Sequence, residues 1–301
     1  MALAMLGLLS LSCTDSGFPV DGERAHARVV KQVDAGPRIP GSPGHAQIRA
    51  WLESELSRLG ARVQIQRFID STRAEPFEVF NLIASYTPRG AHDDGRGPLV
   101  MAAHYDTRPW ADEDPDPAHR NEPIPGANDG GSGVAVLLEL AEILHRRPPP
   151  CPVDLVFFDA EDLGTPGASH EYSIGSRGYA ARLEPPLPRA AIVFDMVGGR
   201  NLAIYPERTS LARASNLVEL VLEGARATGG RHFHSEPRYT VYDDHVPLLD
   251  RGVPAVDIID FDYTPWHTRA DQPDQVSAAS LAEVARVGAW LIYSSPLGRI
   301  R

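Results

Sequence analysis

The sequence has 301 residues and a formal net charge of −11, with 43% hydrophobic and 23% charged residues. This length suffices for one large α/β domain or two small ones, and the apolar content supports a sizeable core without disulfides. The negative charge argues against nucleic-acid binding, and no internal apolar run approaches the roughly 20 residues that a membrane span requires.

The first 21 residues are similar to an export segment. Residues 1–12 are nearly all apolar or small, Cys13 follows, and residues 14–22 are polar and rich in helix breakers. This order is typical of a secretory signal that ends at a lipoprotein cysteine, although no Lys or Arg precedes the apolar run. We therefore expect an exported protein, either periplasmic or anchored to the membrane through lipidated Cys13. Cys151, the only other cysteine, is expected to be an inert, half-buried thiol.

Predicted helices and strands alternate along the rest of the chain. Apolar residues recur at helical spacing in residues 22–36, 45–59, 133–147, 210–228 and 277–293, the last with Ser277 as its expected cap. Alternating or continuous apolar runs predict strands in residues 62–68, 77–86, 98–103, 153–158, 190–194 and 253–259.

The connections between these elements indicate a single domain. Residues 87–97 form a predicted hairpin loop, and residues 107–125 and 164–175 are long loops without a predicted helix or strand, a length that usually signals function. No linker is long enough to separate two domains. Strands interleaved with helices predict an α/β three-layer sandwich with a mixed, mostly parallel central sheet over residues 22–301.

Side chains suited to metal chemistry lie next to the ends of the predicted strands. They are His104 and Asp106 after the third strand, Asp159, Glu161 and Asp162 after the fourth, Asp195 after the fifth, His267 beyond the sixth, and Asp129 before a helix. Because the carboxyl ends of parallel strands meet at one edge of a sheet, we expect these side chains to converge. Carboxylates gathered there repel one another unless a cation holds them, and imidazoles with carboxylates suit zinc.

Each of these signals has a simpler interpretation when it is taken alone. His104 could form a hydrogen bond within the core, Asp129 could cap a helix, and residues 161–162 could be a solvated turn. The glycine-rich run 126–133 is not a phosphate-binding loop, because no Lys followed by Ser or Thr comes after it. The joint order of the residues, rather than any one of them, points to a metal site.

That order resembles the zinc aminopeptidase-like family, which also contains the animal-type glutaminyl-peptide cyclotransferases. The segments that carry the resemblance are AHYDTRPWAD (103–112), GAND (126–129), FFDAED (157–162), DDHVPL (243–248) and WHT (266–268). The resemblance covers residues 22–295 and is greatest to bacterial members of the cyclotransferase branch. It implies an aminopeptidase-like zinc hydrolase fold for a catalytic domain in residues 22–301.

The resemblance also implies roles for individual residues. These are zinc ligands (Asp129, Asp162 and His267), an acid/base (Glu161), its hydrogen-bonding partners (Asp195 and Asp243) and one wall of the substrate pocket (Trp266). In two-metal members of the family, His104 and Asp195 complete a second zinc site that Asp129 bridges. The sequence departs from the animal enzymes at two positions, with Asp162 where they have Glu and Asp257 where they have His, and the role of Asp257 stays open.

The activity implied is that of a zinc-dependent acyltransferase, a glutaminyl-peptide cyclotransferase that converts N-terminal Gln of peptides or proteins into pyroglutamate and releases ammonia. One alternative is a two-zinc aminopeptidase with Glu161 as its general base. A more distant alternative is a non-catalytic ectodomain with the same fold, for which loss of the metal ligands would be the signature. Cyclisation is expected to need one zinc ion and hydrolysis two. We expect a monomer.

Overall fold

The computed structural model describes residues 17–72, 75–88, 95–294 and 297. Within them, six strands form one sheet: β1 (Arg62–Asp70), β2 (Phe77–Tyr86), β3 (Leu99–His104), β4 (Val153–Phe158), β5 (Ala190–Asp195) and β6 (Ala255–Ile259). Their order across the sheet is β1-β2-β4-β3-β5-β6. β2 is antiparallel to both of its neighbours, whereas β3, β4, β5 and β6 run parallel. The predicted mixed, mostly parallel sheet is therefore confirmed.

Seven α-helices accompany the sheet in the described part of the chain: α1 (Gly22–Asp34), α2 (Pro43–Arg58), α3 (Gly131–Arg146), α4 (Ile174–Ala181), α5 (Arg208–Thr228), α6 (His245–Asp250) and α7 (Ala278–Tyr293). The helices α1, α3 and α7 pack against one another, α5 packs against α7, and α4 packs against α6. Helices of both groups contact strands, and every residue of β3 and β6 is buried. Burial on both faces indicates that the sheet lies between two layers of helices. This is the three-layer arrangement that the sequence predicts.

Side chains at the helix ends explain where the helices begin. Ser277 caps α7, as predicted, by accepting two N–H groups of its first turn. The helix α5 begins two residues earlier than predicted, because the Glu207 carboxylate accepts the N–H groups of Thr209 and Ser210 at 2.8 and 2.7 Å. A carboxylate at this end of a helix also interacts favourably with the helix dipole.

The structure corrects the sequence analysis at two points and leaves a third untested. The hairpin predicted around residues 87–97 is wrong, since β4 lies between β2 and β3 in the sheet; residues 89–94 are outside the described chain. The helices α4 and α6 were not predicted, because 8 and 6 residues are too few to show apolar periodicity. The predicted export segment, with Cys13, lies mostly outside the described residues, which begin at Gly17.

Two further features of the described residues concern Cys151 and the helices. Cys151 is a half-buried thiol, as expected. None of the described helices is both long enough and apolar enough to cross a membrane.

Candidate metal centre

Three predicted metal ligands lie together at the carboxyl edge of the parallel strands. Asp129 precedes α3, Asp162 follows β4, and His267 lies in the loop after β6. One potential ligand atom from each of the three lies within 4.8 Å of the others, and all three residues are buried. The Nε2 atom of His267 is 3.4 Å from Asp162 Oδ1 and 3.8 Å from Asp129 Oδ2. These distances exceed those of short hydrogen bonds and place the imidazole nitrogen beside both carboxylate groups.

The hydrogen bonding of these carboxylates fits a bound cation. Asp129 Oδ2 and Asp162 Oδ2 are buried and have no hydrogen-bond partner among the described residues. An unpaired carboxylate oxygen is costly to bury unless an ion or a proton accompanies it. Two carboxylates and one imidazole form a donor set that suits zinc, with a fourth position left for substrate or water.

Asp129 is held in place through its backbone by Asp271. The Asp271 carboxylate accepts the N–H groups of Asn128 at 2.8 Å and Asp129 at 3.1 Å, and the hydroxyl of Tyr263 at 2.7 Å. Burial and the negative charge of Asp129 raise the pKa of Asp271 to about 7. Because Asp271 is only four residues beyond His267, it joins the loops that carry two of the three ligands.

Asp162 and Glu161 are held in a similar way by Asp106. The Asp106 carboxylate accepts the N–H groups of Glu161 at 3.0 Å and Asp162 at 3.2 Å. Burial alone would raise the pKa of Asp106, but the adjacent His104 imidazole and the hydrogen bonds from the two backbone groups lower it overall. Ala160, at the turn between β4 and Glu161, has a left-handed φ of 56°. Such backbone strain tends to occur at functional sites.

His267 also has a left-handed backbone, with a φ of 53°, and its ring is fixed on both sides. Nδ1 lies 3.3 Å from Asp112 Oδ1, so the other nitrogen, Nε2, faces the two carboxylates. Burial opposes the charged imidazole, but the negative charge of Asp162 and the hydrogen bond to Asp112 outweigh it and raise the pKa of His267 to about 9. A metal ion therefore competes with a proton for this nitrogen.

A second group of potential ligands adjoins the first. His104 Nε2 lies 3.3 Å from Asp129 Oδ1 and 3.2 Å from Asp195 Oδ1. These three residues form another cluster that could hold an ion, with Asp129 common to both clusters. Burial disfavours charge on His104, but the adjacent carboxylates of Asp106, Asp129 and Asp195 raise its pKa well above the ordinary value.

A pocket of about 330 Å³ opens onto the first cluster. Its lining includes the carboxylates Glu161, Asp195 and Asp243 and the larger side chains Tyr172, Met196, Tyr242, Ile259, Phe261 and Trp266. Trp266 stacks on the ring of His267 with their centroids 3.8 Å apart, and it contacts Phe261. The predicted wall residue therefore lies against a predicted ligand.

Three carboxyl groups of the pocket have pKa values above their ordinary range. Burial and the charges of Asp243 and Asp162 raise the pKa of Glu161 well above its ordinary value. Burial and the Asp195 carboxylate raise the pKa of Asp243 to about 6, and burial raises that of Asp195. Carboxyl groups with shifted pKa values in a cleft are suited to proton transfer.

Asp257 occupies the position where the animal enzymes have His, and the sequence leaves its role open. It lies next to Asp243, on the side away from the pocket lining. Both of its oxygens are buried and lack a hydrogen-bond partner within the described chain, and Oδ2 is 3.8 Å from His245 Nδ1. The opposite nitrogen of His245 is 3.2 Å from Glu207 Oε2. Burial and the charge of Asp243 raise the pKa of Asp257 well above its ordinary value. Asp257 is therefore a neighbour of the pocket carboxylates rather than part of the pocket lining.

Sequence reasoning assigned no role to three residues that hold the ligands, namely Arg108, Asp112 and Asp271. Two of them lie in the segment 103–112, and Asp271 is close to His267 in sequence, so their proximity to the motifs was the available signal. Their partners are more than 40 residues away or lie in another loop. Nothing in the residue pattern distinguishes them from exposed charges.

Comparison with known proteins agrees with this arrangement. The model of peptidase family M28 matches residues 81–292. A glutaminyl cyclase of Bacteroides thetaiotaomicron bound to N-acetylhistamine is 31% identical, with a TM-score of 0.86, over 92% of this chain and 99% of that chain. A structure described as a leucine aminopeptidase precursor, from the same organism, is also 31% identical with a TM-score of 0.86, over 92% and 98% of the two chains.

The likeness extends to animal proteins. The glutaminyl-peptide cyclotransferase-like protein of Bos taurus is 27% identical over 280 residues, which are 83% of this chain and 70% of the bovine protein. The family model alone spans most of the sheet, both ligand clusters and the pocket. This chain belongs to peptidase family M28.

Proposed function

We propose that this protein is a zinc-dependent glutaminyl-peptide cyclotransferase, which acts on peptides or proteins with N-terminal Gln. The observation that carries the proposal is the pocket, where Glu161 adjoins the three-ligand cluster and Trp266 forms a wall. A cavity of about 330 Å³ lies at the small end of the range for ligand pockets. Similarity to glutaminyl cyclases over most of the chain supports the same reaction.

Asp129, Asp162 and His267 would hold the zinc ion. Asp129 and Asp162 would each supply a carboxylate oxygen, and His267 would supply its Nε2 atom. When bound, zinc supplies a Lewis acid that polarises the side-chain amide carbonyl of the substrate. The pocket itself holds the flexible Gln side chain near its own α-amine. Since both reacting groups belong to one residue, holding the right conformer and excluding water provide much of the acceleration.

Glu161 is the proposed acid/base. A bond forms between the substrate α-amine nitrogen and the side-chain carbonyl carbon, and the bond from that carbon to the amide nitrogen breaks. Glu161 accepts one proton from the α-amine and delivers it to the departing nitrogen, which leaves as ammonia. The Ser173 hydroxyl donates to Glu161 Oε1 at 3.3 Å and steadies the carboxylate.

Asp195 and Asp243 are the proposed partners of Glu161 in this proton transfer. Both line the pocket. Because like charges repel in a buried site, the charge of Asp195 raises the pKa of Asp243. A shared proton allows the pair to donate one hydrogen bond and accept another at the reacting nitrogen. Trp266 offers the apolar surface for the substrate side chain.

A two-zinc aminopeptidase is the second candidate, and the His104 cluster favours it. The structural neighbour described as a leucine aminopeptidase precursor is consistent with it. The cyclotransferase is better supported because both a similar bacterial structure and the animal relatives that match most of this chain are glutaminyl cyclases or glutaminyl-peptide cyclotransferase-like proteins. We therefore propose one zinc ion per chain.

The product of a Gln-initiated peptide tests the proposal. Mass spectrometry is expected to show loss of one ammonia from an otherwise intact peptide, with the reaction abolished by a chelator and by Glu161→Gln. The matched control is Glu171→Gln, since the Glu171 carboxylate binds Thr165 instead of lining the pocket. Release of free glutamine, together with two essential zinc ions, would establish the aminopeptidase instead.

We also propose that residues 1–21 direct export and that Cys13 is lipidated, on the strength of the apolar run before that cysteine. Fractionation of cells with labelled palmitate is expected to recover the label on this protein in the membrane fraction, and Cys13→Ala is expected to lose it. We propose a monomer as well, which light scattering during gel filtration would check.

A further inference from the structure

Four side chains form a closed ring at the candidate metal centre. Arg108 Nη1 donates to Asp162 Oδ1 at 2.9 Å, and its Nε and Nη2 donate to the two oxygens of Asp112 at 2.7 and 2.6 Å. Asp112 Oδ1 is 3.3 Å from His267 Nδ1. His267 Nε2 is 3.4 Å from Asp162 Oδ1 and closes the ring. Two members are predicted zinc ligands, and Arg108 and Asp112 are not.

The Arg108 guanidinium determines which oxygen of Asp162 is available. Arg108 is fully buried, and its two hydrogen bonds to Asp112 fix the plane of the guanidinium. The remaining N–H group of the guanidinium donates to Asp162 Oδ1, while Asp162 Oδ2 is buried without a hydrogen-bond partner in the described part of the chain. Oδ2 is therefore the Asp162 oxygen that no described protein group engages.

Asp112 acts in the same way on the imidazole. Its carboxylate accepts hydrogen bonds but cannot donate one when ionised, so the proton of a neutral His267 resides on Nδ1. The lone pair is then on Nε2, which faces Asp129 and Asp162. A carboxylate behind a ligating histidine is a common means of orienting the ring and tuning the metal.

We propose that Arg108 and Asp112 are positioning residues of the zinc centre. Arg108 limits Asp162 to binding through one oxygen, and Asp112 fixes the protonated nitrogen of His267. The inference rests on the proposed function only in requiring zinc at Asp129, Asp162 and His267, and it does not depend on the reaction that follows.

A purely structural role is the alternative, because losing one partner of a buried ion pair destabilises a fold wherever the pair lies. The pair formed by Arg28 and Glu139 provides a matched comparison. Arg28 Nη1 donates to Glu139 Oε1 at 2.6 Å, and both side chains are nearly inaccessible. This pair joins α1 to α3 and contributes no residue to the pocket lining or the ligand clusters.

Zinc affinity and coordination test the inference directly. In competition with a chromogenic chelator, Arg108→Met is expected to weaken zinc binding by about 10- to 100-fold. X-ray absorption is expected to show one more oxygen ligand than in the parent protein, because both oxygens of Asp162 become free to bind. Asp112→Asn is expected to weaken zinc binding without that added ligand. Arg28→Met is expected to lower the melting temperature and leave zinc affinity unchanged.

Two outcomes would overturn the inference. One is zinc binding by folded Arg108→Met with the parent affinity and coordination; the other is an equal loss of affinity in Arg28→Met. If Arg108→Met does not fold, Arg108→Lys decides. Lysine keeps the positive charge but lacks the planar set of guanidinium donors, so this variant is expected to bind zinc more weakly than the parent protein. A chain that binds zinc with these effects but releases free glutamine would refute the proposed reaction and leave the positioning roles intact.

Discussion

Gly133, in the first turn of α3, lies directly against Phe194 of β5. A Cβ atom at position 133 would be 2.2 Å from the Phe194 carbonyl oxygen and 2.8 Å from the Cβ of Ala103. The helix that follows Asp129 therefore touches the strand that ends at Asp195 without an intervening side chain. This close approach brings the shared ligand Asp129 within reach of His104 and Asp195.

Gly133→Ala is accordingly expected to destabilise the protein, although alanine is the better helix former by about 1 kcal/mol. Overpacking against a strand backbone is expected to lower the free energy of unfolding by about 2 kcal/mol. Urea unfolding measures the change. The control is Gly229→Ala, where the φ of +75° disfavours alanine but no atom lies within 4 Å. A stabilised Gly133→Ala protein would contradict the close approach.

Asp271→Asn is expected to weaken both the fold and the metal centre. An amide offers one acceptor where Asp271 offers two, so its NH₂ group would face the N–H of either Asn128 or Asp129. We expect a loss of about 1–3 kcal/mol in the free energy of unfolding and weaker zinc binding. Tyr263→Phe, which removes only one donor to Asp271, is expected to cost less. Equal effects of the two variants would show that the backbone contacts of Asp271 are unimportant.

Trp266→Ala is expected to lower kcat/KM for Gln-initiated peptides by roughly tenfold to a hundredfold, because the wall of the pocket is lost. Trp266→Phe, which keeps an aromatic surface, is expected to retain more activity. Since Trp266 also stacks on His267, zinc content must be measured for both variants. An unchanged kcat/KM in zinc-loaded Trp266→Ala would exclude this side chain from substrate binding.

The architecture could be predicted from the sequence because the strands that build the site have continuous apolar runs. Residues 153–158 are all but one buried in β4, and the His and Asp residues that follow such strands could be expected at one edge of the sheet. Two features could not be predicted, because they depend on contacts between distant parts of the chain. They are the short helices α4 and α6 and the position of β4 between β2 and β3.

The ligands could be predicted in the same way, but the residues that hold them could not. Asp129, Asp162 and His267 lie in motifs that resemble a known family, and the structure brings their ligand atoms together. Arg108 and Asp271 have no residue pattern of their own, because each acts through a partner in another loop. A charge next to a motif becomes informative only when burial and partner are known, as for the fully buried Arg108.

Metal-free protein is expected to lose stability as the pH rises from about 5 to about 9. Asp243 and Asp271 have pKa values raised to about 6 and about 7, so their contribution is complete at low pH and disappears as the pH rises through those values. His267, with a pKa of about 9, contributes stability below its unfolded value of about 6.5 and loses it as the pH approaches 9. Each proton that the folded state holds in excess gives a slope of about −1.4 kcal/mol per pH unit.

Zinc is expected to reverse this trend, because it binds the ionised carboxylates and the neutral imidazole that the metal-free fold disfavours. The difference in the free energy of unfolding between zinc-loaded and chelator-treated protein should therefore grow with pH. Urea unfolding with and without zinc, at several pH values, measures this difference. Chelator-treated Asp271→Asn, which has lost one group with a raised pKa, is expected to show a shallower decline around pH 7 than the parent. A zinc-dependent difference that stays constant from about pH 5 to about pH 8 would mean that zinc displaces no protons from the folded protein, and would contradict the raised pKa values.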